Sequence, residues 1–368
     1  MAAVTRYFEG DHPSLVSRLE DHFARVRSGF EEMGWSGALV LGGGYGRGEG
    51  GVMLDGDEPG FSNDLDYFLF DADPDSPALT EWCRRVEKVE SPRLGIDVEI
   101  KCLRPESIGD PGKSMMFADL VAGHVVVAGD AGFLGAMRAG LDFARIDASE
   151  ATRLLWNRGS GMFYARCRMG QEDSRGFVIR NHAKLKLALG DAWLCLHGKY
   201  TSECRERGRR LAGIPLPGDA AKILAWHAEG VEFKFRPFSK GPSWEELRAE
   251  SVDLVAAWKE VYLAAEARRL GMELKDFTGY LSLPRILRDS GLMRNLALAL
   301  RDRFKRGACL RPVGDYPRAA LMRALPCLLG LTPGGIADAA KFLPSPQDEV
   351  SELKSWETVY QKWWSYYA

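Results

Sequence analysis

The chain has 368 residues, 46% of them hydrophobic, which is enough for two domains with sizeable cores and excludes a disordered protein. Lys and Arg total 49 against 51 Asp and Glu, so no overall field draws in polyanions or anionic membrane. The seven cysteines (Cys83, Cys102, Cys167, Cys195, Cys204, Cys309 and Cys327) are odd in number, widely spaced and free of any CxxC, which speaks against a disulfide framework or a zinc site and for reduced thiols in a cytoplasmic protein.

In chain order, Leu15, Leu19, Phe23, Val26, Phe30 and Met33 recur at helical spacing behind Ser14, and predict an amphipathic helix over residues 14–34 with Ser14 as its N-cap. The first 30 residues contain Asp11, Glu20 and Asp21 and no continuous apolar core of a signal peptide. No run anywhere approaches the roughly 18 apolar residues of a membrane span, so no membrane partner is expected. Extended segments follow at 38–41, 64–71, 96–103 and 124–128, with helices over 78–89 and near 113–120 between them. After Asp147 long helical periods dominate, at 151–168, 177–197, 244–270, 292–306 and 317–329, punctuated by Pro and Gly. The expected fold is α+β: a small mixed-sheet domain over residues 1–147 followed by an all-helical domain over 148–368.

Two segments carry chemistry. Leu41-Gly42-Gly43-Gly44-Tyr45-Gly46-Arg47-Gly48-Glu49-Gly50 closes an apolar strand with a glycine-rich turn. Glycine permits φ > 0 and lacks the Cβ that would hold a phosphate off, so Gly43, Gly44 and Gly46 are suited to aim N–H groups at a polyphosphate. Asn63-Asp64-Leu65-Asp66 then opens a second strand, where residues two apart project to the same side and set Asp64 beside Asp66. Two such carboxylates repel, and a divalent cation relieves the repulsion while bridging triphosphate oxygens. Ile96-Asp97-Val98-Glu99-Ile100 repeats the pattern on a third strand. A third carboxylate from there completes a two-metal site; Asp97 and Glu99 both qualify, with Asp97 slightly preferred.

This order of features resembles the DNA polymerase beta nucleotidyltransferase superfamily, whose signature is an apolar residue, Gly-Gly or Gly-Ser, then Asp-x-Asp, then a carboxylate on a later strand. Residues 43–49 are similar in wording to the glycine turn of bacterial PII-protein uridylyltransferases. The resemblance implies a catalytic domain over about residues 1–147, with Asp64, Asp66 and one of Asp97 or Glu99 as metal ligands and catalytic groups. It implies Mg²⁺ or Mn²⁺ as cofactor, an NTP (ATP among them) as substrate, and nucleotide contacts from Gly43, Gly44, Tyr45, Gly46 and Arg47. Such enzymes often send a lysine from the helical domain to the triphosphate, which makes Lys184 and Lys186 candidates, against a solvated helix face. Two departures stand out. Residues 51–63 look like an inserted acidic loop that lengthens the usual Gly-to-Asp spacing, and no HD phosphohydrolase signature or sensor domain follows.

Blander readings compete at each point. Gly46, Gly48 and Gly51 satisfy G-x-G-x-x-G, but the following helix and distal acid of a dinucleotide fold are missing. Gly112-Lys113-Ser114 falls short of a P-loop because Ser107 stands at the required glycine. Arg47 with Glu49 is either a phosphate clamp with its orienting partner or an ion pair within a turn. His182 reads as structural. From Arg285 to Arg323 ten basic residues face three acidic ones (Asp289, Asp302, Asp315), which fits an RNA backbone or a solvated face. Trp356, Tyr360, Trp363 and Tyr367 share one helix face and read as a stripe docked on the core.

The expected function is transfer of a nucleoside monophosphate from an NTP to an acceptor hydroxyl with release of pyrophosphate. A protein or small-molecule acceptor is slightly favoured over RNA, given the near-neutral charge. The alternatives are a catalytically silent binding protein of the same fold, such as a toxin–antitoxin component, and a nucleotide-sugar glycosyltransferase.

Overall fold

The computed structural model describes residues 6–56, 58–287, 291–346 and 352–367. It is α+β and divides into two compact units, Met1–Glu150 with His197–Ile214 and Leu224–Gly241, and Ala151–Leu196 with Pro215–Ile223 and Pro242–Ala368. Two stretches beyond residue 147 thus pack into the first unit.

The first unit opens with α1 (Pro13–Glu32), which starts one residue ahead of the expected cap. Pro13 takes the first helical position, where its missing N–H costs nothing, and Ser14 lies inside the helix. The chain continues through β1 (Ala38–Leu41), the single turn α2 (Gly43–Gly46), β2 (Gly51–Met53), β3 (Gly60–Ser62), β4 (Leu65–Phe70), α3 (Pro77–Leu94), β5 (Val98–Leu103), α4 (Met115–Ala122), β6 (Val125–Ala128) and α5 (Gly132–Arg138). Four strands form one sheet in the order β5-β4-β1-β6. β4 and β5 are parallel, joined by α3 as crossover, and β1 is antiparallel to both β4 and β6. The expected loop at 51–63 is a second, two-stranded sheet of β2 and β3.

The sheet is covered on both faces, which is why β1 is a continuous apolar run with every residue buried. Leu39, Leu41, Leu65, Tyr67 and Leu69 pack with residues of α1 and α3. Ala38, Val40, Phe68 and Phe70 pack on the other side with Leu120 and Val121 of α4 and Leu134 of α5. The period of two places Asp66 on the α4–α5 side, at the entry of β4. β5 is an edge strand, and α3 closes its open side: Val98 N–H donates to Ser91 Oγ and Ile100 N–H to Glu87 Oε1, each at 2.9 Å. Behind the sheet His22 bridges Glu90 (2.8 Å) and the Tyr67 hydroxyl (2.7 Å), tying α1 to α3 and β4.

The second unit is helical. α6 (Ala148–Cys167) enters it at Ala151, and α7 (Arg175–Leu196) lies wholly within it. α8 (Cys204–Leu211) and most of α9 (Ala220–Phe235) belong to the first unit. α10 (Trp244–Leu270), α11 (Phe277–Ser282), α12 (Leu292–Arg306), α13 (Pro317–Leu328) and α14 (Glu352–Tyr367) complete the second. α10 keeps the expected bounds because both ends are capped, by a Ser243–Glu246 capping box and by Gly271 in the left-handed region. Trp356, Tyr360, Trp363 and Tyr367 are all buried, with the Tyr360 hydroxyl bonded to Trp156 and Ser160. Part of the basic stretch is engaged within the protein: Arg306 pairs with Asp302, Arg323 with Asp315, and Arg318 donates to the Tyr367 carbonyl, while Arg294, Arg301, Arg303, Lys305 and Arg311 are exposed. Arg288 and Asp289 lie outside the described residues. None of the seven cysteines is in a disulfide, and among the described residues no helix is long and apolar enough to cross a membrane.

A candidate metal centre beside the glycine turn

Asp64, Asp66 and Glu99 each offer a carboxylate oxygen within 4.8 Å of the others. Two features bring them together. Asn63 sits at φ 69°, a left-handed conformation that Asn tolerates, and turns the chain from β3 into β4 so that Asp64 immediately precedes the strand. The parallel register then sets Asp66 opposite Glu99 and Leu65 opposite Val98. Asp66 and Glu99 thereby share one face of the sheet, and Leu65 and Val98 the other. Asp97, slightly preferred from sequence, is not in the group: it lies exposed ahead of β5, its backbone carbonyl accepting from Leu65 N–H at 2.9 Å.

The glycine turn is built against these acids. Gly42 N–H donates to the Asp66 carbonyl at 2.8 Å, and Gly43 follows at φ 60°. A Cβ on Gly43 would stand 2.2 Å from Asp66 Oδ2, so a side chain there is excluded both by backbone conformation and by the carboxylate. The N–H groups of Gly43 and Gly44 belong to the first turn of a helix, which leaves such donors without an intrahelical partner.

Other members of the turn serve the scaffold. Tyr45, expected at the nucleotide, is buried: its hydroxyl donates to the Gly51 carbonyl at 2.7 Å and accepts from Ser62 N–H at 3.1 Å, clamping the β2–β3 hairpin. Gly50 makes room for that ring, since a Cβ there would meet it at 2.3 Å. Gly46 is packed against the Leu41 carbonyl.

Arg47 and Glu49 are neither surface residues nor turned to solvent, with side chains 13% and 12% exposed. Arg47 lies 3.3 Å from Asp119 of α4 and 3.7 Å from Glu49. Glu49 accepts from the Cys204 N–H at 2.7 Å and pairs with Lys234, so this one carboxylate receives both later stretches of the first unit, α8 and α9. Asp119 is also held by the Tyr200 hydroxyl at 3.2 Å. Burial by itself would raise Glu49; Lys234 and Arg47 outweigh it and hold the carboxyl below its usual range. Asp119 is raised, burial prevailing over Arg47 and Arg207. Sequence reading passed over Asp119, Tyr200 and Lys234, although a lone acid in the otherwise apolar α4 is a signal of a buried polar partner.

Lys184 and Lys186 lie on α7, in the second unit. Lys186 is buried and paired with Glu250, to which His182 also bonds at 2.7 Å.

The acids are mutually unfavourable as they stand. Asp66 is pushed up to about 6, by burial first and then by Asp64 and Glu99. Glu99 is raised as well, by burial and by the charges of Asp64 and Asp97. A clustered set of carboxylate oxygens with raised proton affinity suits a hard divalent cation, which takes oxygen ligands and relieves the repulsion. Compared with protein-family models, curated proteins and solved structures, the chain finds no match in any of the three.

Proposed function

We propose that the chain is a divalent-metal-dependent nucleotidyltransferase, moving a nucleoside monophosphate from an NTP to an acceptor hydroxyl with release of pyrophosphate. The observation that carries this reading is the packing of Gly43 against Asp66, which sets the glycine turn directly beside the acidic trio. Asp64, Asp66 and Glu99 would hold Mg²⁺ or Mn²⁺. Bound there, the cation would neutralise phosphate charge and favour the ionised form of an attacking hydroxyl. Gly43 and Gly44 would donate their N–H groups to triphosphate oxygens, and the missing Cβ at 43 keeps the approach to Asp66 open. Arg47 acts indirectly in this reading, through the Asp119–Glu49 cluster that fixes the turn. A protein or small-molecule acceptor is favoured over RNA, because the net charge is near neutral and Arg306 and Arg323 of the basic stretch are engaged internally.

The test supplies each common ribonucleoside triphosphate, labelled at the α-phosphate, with Mg²⁺ or Mn²⁺ and a cell lysate. Transfer of label to a discrete species that is lost in the folded double variant Asp64→Ala/Asp66→Ala supports the proposal and identifies base and acceptor. Nucleotide binding with no metal-dependent turnover would favour a silent binding protein, and turnover of a nucleotide sugar alone would favour a glycosyltransferase.

A further inference from the structure

The second unit contains a cavity of about 580 Å³, lined by the C-terminal end of α6, one face of α10 and the chain at Leu329, Leu331 and Leu353. Its size falls within the range of sites that take small organic ligands, roughly 300–1,000 Å³. Most of the lining is aliphatic, including Val255, Leu331 and Leu353. Val252 on α10 is 70% exposed beside it, an apolar side chain left in water where a ligand would cover it.

Two arginines break the apolar wall. Arg166 is half-buried and donates through Nη1 to the Leu329 carbonyl at 2.7 Å. Burial lowers its affinity for its proton, opposed only by Cys167, with no carboxylate at hand. Arg168, two residues on, has the usual solution, an ion pair with Glu357 at 3.1 Å. Arg248 enters from α10, close enough to Gly170 that a Cβ there would lie 3.2 Å from Nη2. Neither Arg166 nor Arg248 is in an ion pair among the described residues, and the lining holds no acid. A half-buried guanidinium without an anion is an unfavourable arrangement that a bound oxyanion corrects, and the planar fork of Arg matches two oxygens of one head group.

We infer that this cavity binds a small amphipathic anion, with an aliphatic body against Val252, Val255 and Leu331 and a carboxylate or phosphate head between Arg166 and Arg248. This site lies wholly within the second unit and does not depend on the metal centre, so either reading can fail without the other.

Calorimetric titration of the full chain tests it, with decanoate and decyl phosphate below their micelle-forming concentrations and with decanol and acetate as the tail and head alone. Saturable binding of at least one of the two anions is expected, with decanol and acetate weaker by roughly tenfold or more. The tighter anion assigns the head group. Because Arg166 also holds the Leu329 carbonyl, the informative variants are Arg248→Gln and Val252→Asp, both at exposed positions of α10. Each is expected to weaken the anion by roughly tenfold or more while the thermal midpoint stays unchanged. Equal binding of decanol and decanoate, no saturable binding of either anion, or wild-type affinity in folded Arg248→Gln would overturn the assignment.

Discussion

Gly43 and Asp66 occupy one volume: a methyl group on the first would lie 2.2 Å from a carboxylate oxygen of the second. The turn and the acid strand are therefore a single built object. Gly43→Ala brings two costs, the left-handed backbone at φ 60° and displacement of the Asp66 carboxyl. The backbone term alone is about 1–2 kcal/mol. The expected outcome is a lower thermal midpoint together with loss of Mn²⁺ affinity, read by scanning calorimetry and by electron paramagnetic resonance. Wild-type Mn²⁺ affinity in a folded Gly43→Ala protein would contradict the coupling.

The choice of Glu99 over Asp97 gives a paired test. Glu99→Gln removes one charge of the acidic trio and is expected to weaken Mn²⁺ binding by roughly tenfold to a hundredfold, the equivalent of one charged contact. Asp97→Asn, at an exposed position outside the trio, is expected to change it little. Titration of the two variants side by side decides between them.

Asp97 and Glu99 have the same spacing, and only the pairing of β5 with β4 separates them. That register, with α3 bonded to the outer edge of β5 through Ser91 and Glu87, is a tertiary fact absent from any local pattern. The strands of the four-stranded sheet and most of the long helices were legible because their apolar periods are strong and, in α10, because Ser243 and Gly271 mark both ends, whereas α9 (Ala220–Phe235) was missed. α8 was missed too: Cys-Arg-Glu-Arg-Gly-Arg-Arg-Leu reads as a solvated charged run, yet Cys204, Arg207 and Leu211 are buried at i, i+3 and i+7. The hairpin at 51–53 and 60–62 escaped notice because its strands have three residues each and its support is the distant hydroxyl of Tyr45. The carboxylates and the glycine turn were visible as residues, while the burial of Tyr45, Arg47 and Glu49 was not.

Protonation of Asp66 sets a pH dependence whose sign follows from its shift. Its carboxyl titrates at about 6 in the fold against 3.8 unfolded, so its contribution to stability is fully present below 3.8 and is lost as pH rises through about 6. The loss is on the order of 2 kcal/mol, because Asp66 retains some solvent. In EDTA at pH 7.5, Asp66→Asn is expected to melt higher than wild type. Mg²⁺ is expected to raise the wild-type midpoint at pH 7.5 and to have little effect at pH 5, where the proton competes. A Mg²⁺ effect of equal size at both values would contradict this.

Glu49 gathers Arg47, Lys234 and the Cys204 N–H in a place with little water. Glu49→Ala takes the carboxylate from Lys234 and leaves Arg47 with Asp119 alone, and breaking a buried pair in this way costs about 3–5 kcal/mol. Chemical denaturation is expected to show that loss, whereas Lys222→Ala, which breaks an exposed pair with Asp253, is expected to cost under about 1 kcal/mol.

Pyrophosphate release tests the central claim most directly. Purified protein is supplied with each ribonucleoside triphosphate, Mg²⁺ or Mn²⁺, and lysate as the acceptor source, beside the double variant Asp64→Ala/Asp66→Ala. The expected result is metal-dependent release from at least one nucleotide by the wild type and none by the variant, with circular dichroism showing both proteins folded. Undiminished release by the folded variant, or no release from any nucleotide by the wild type, would contradict nucleotidyl transfer at this centre.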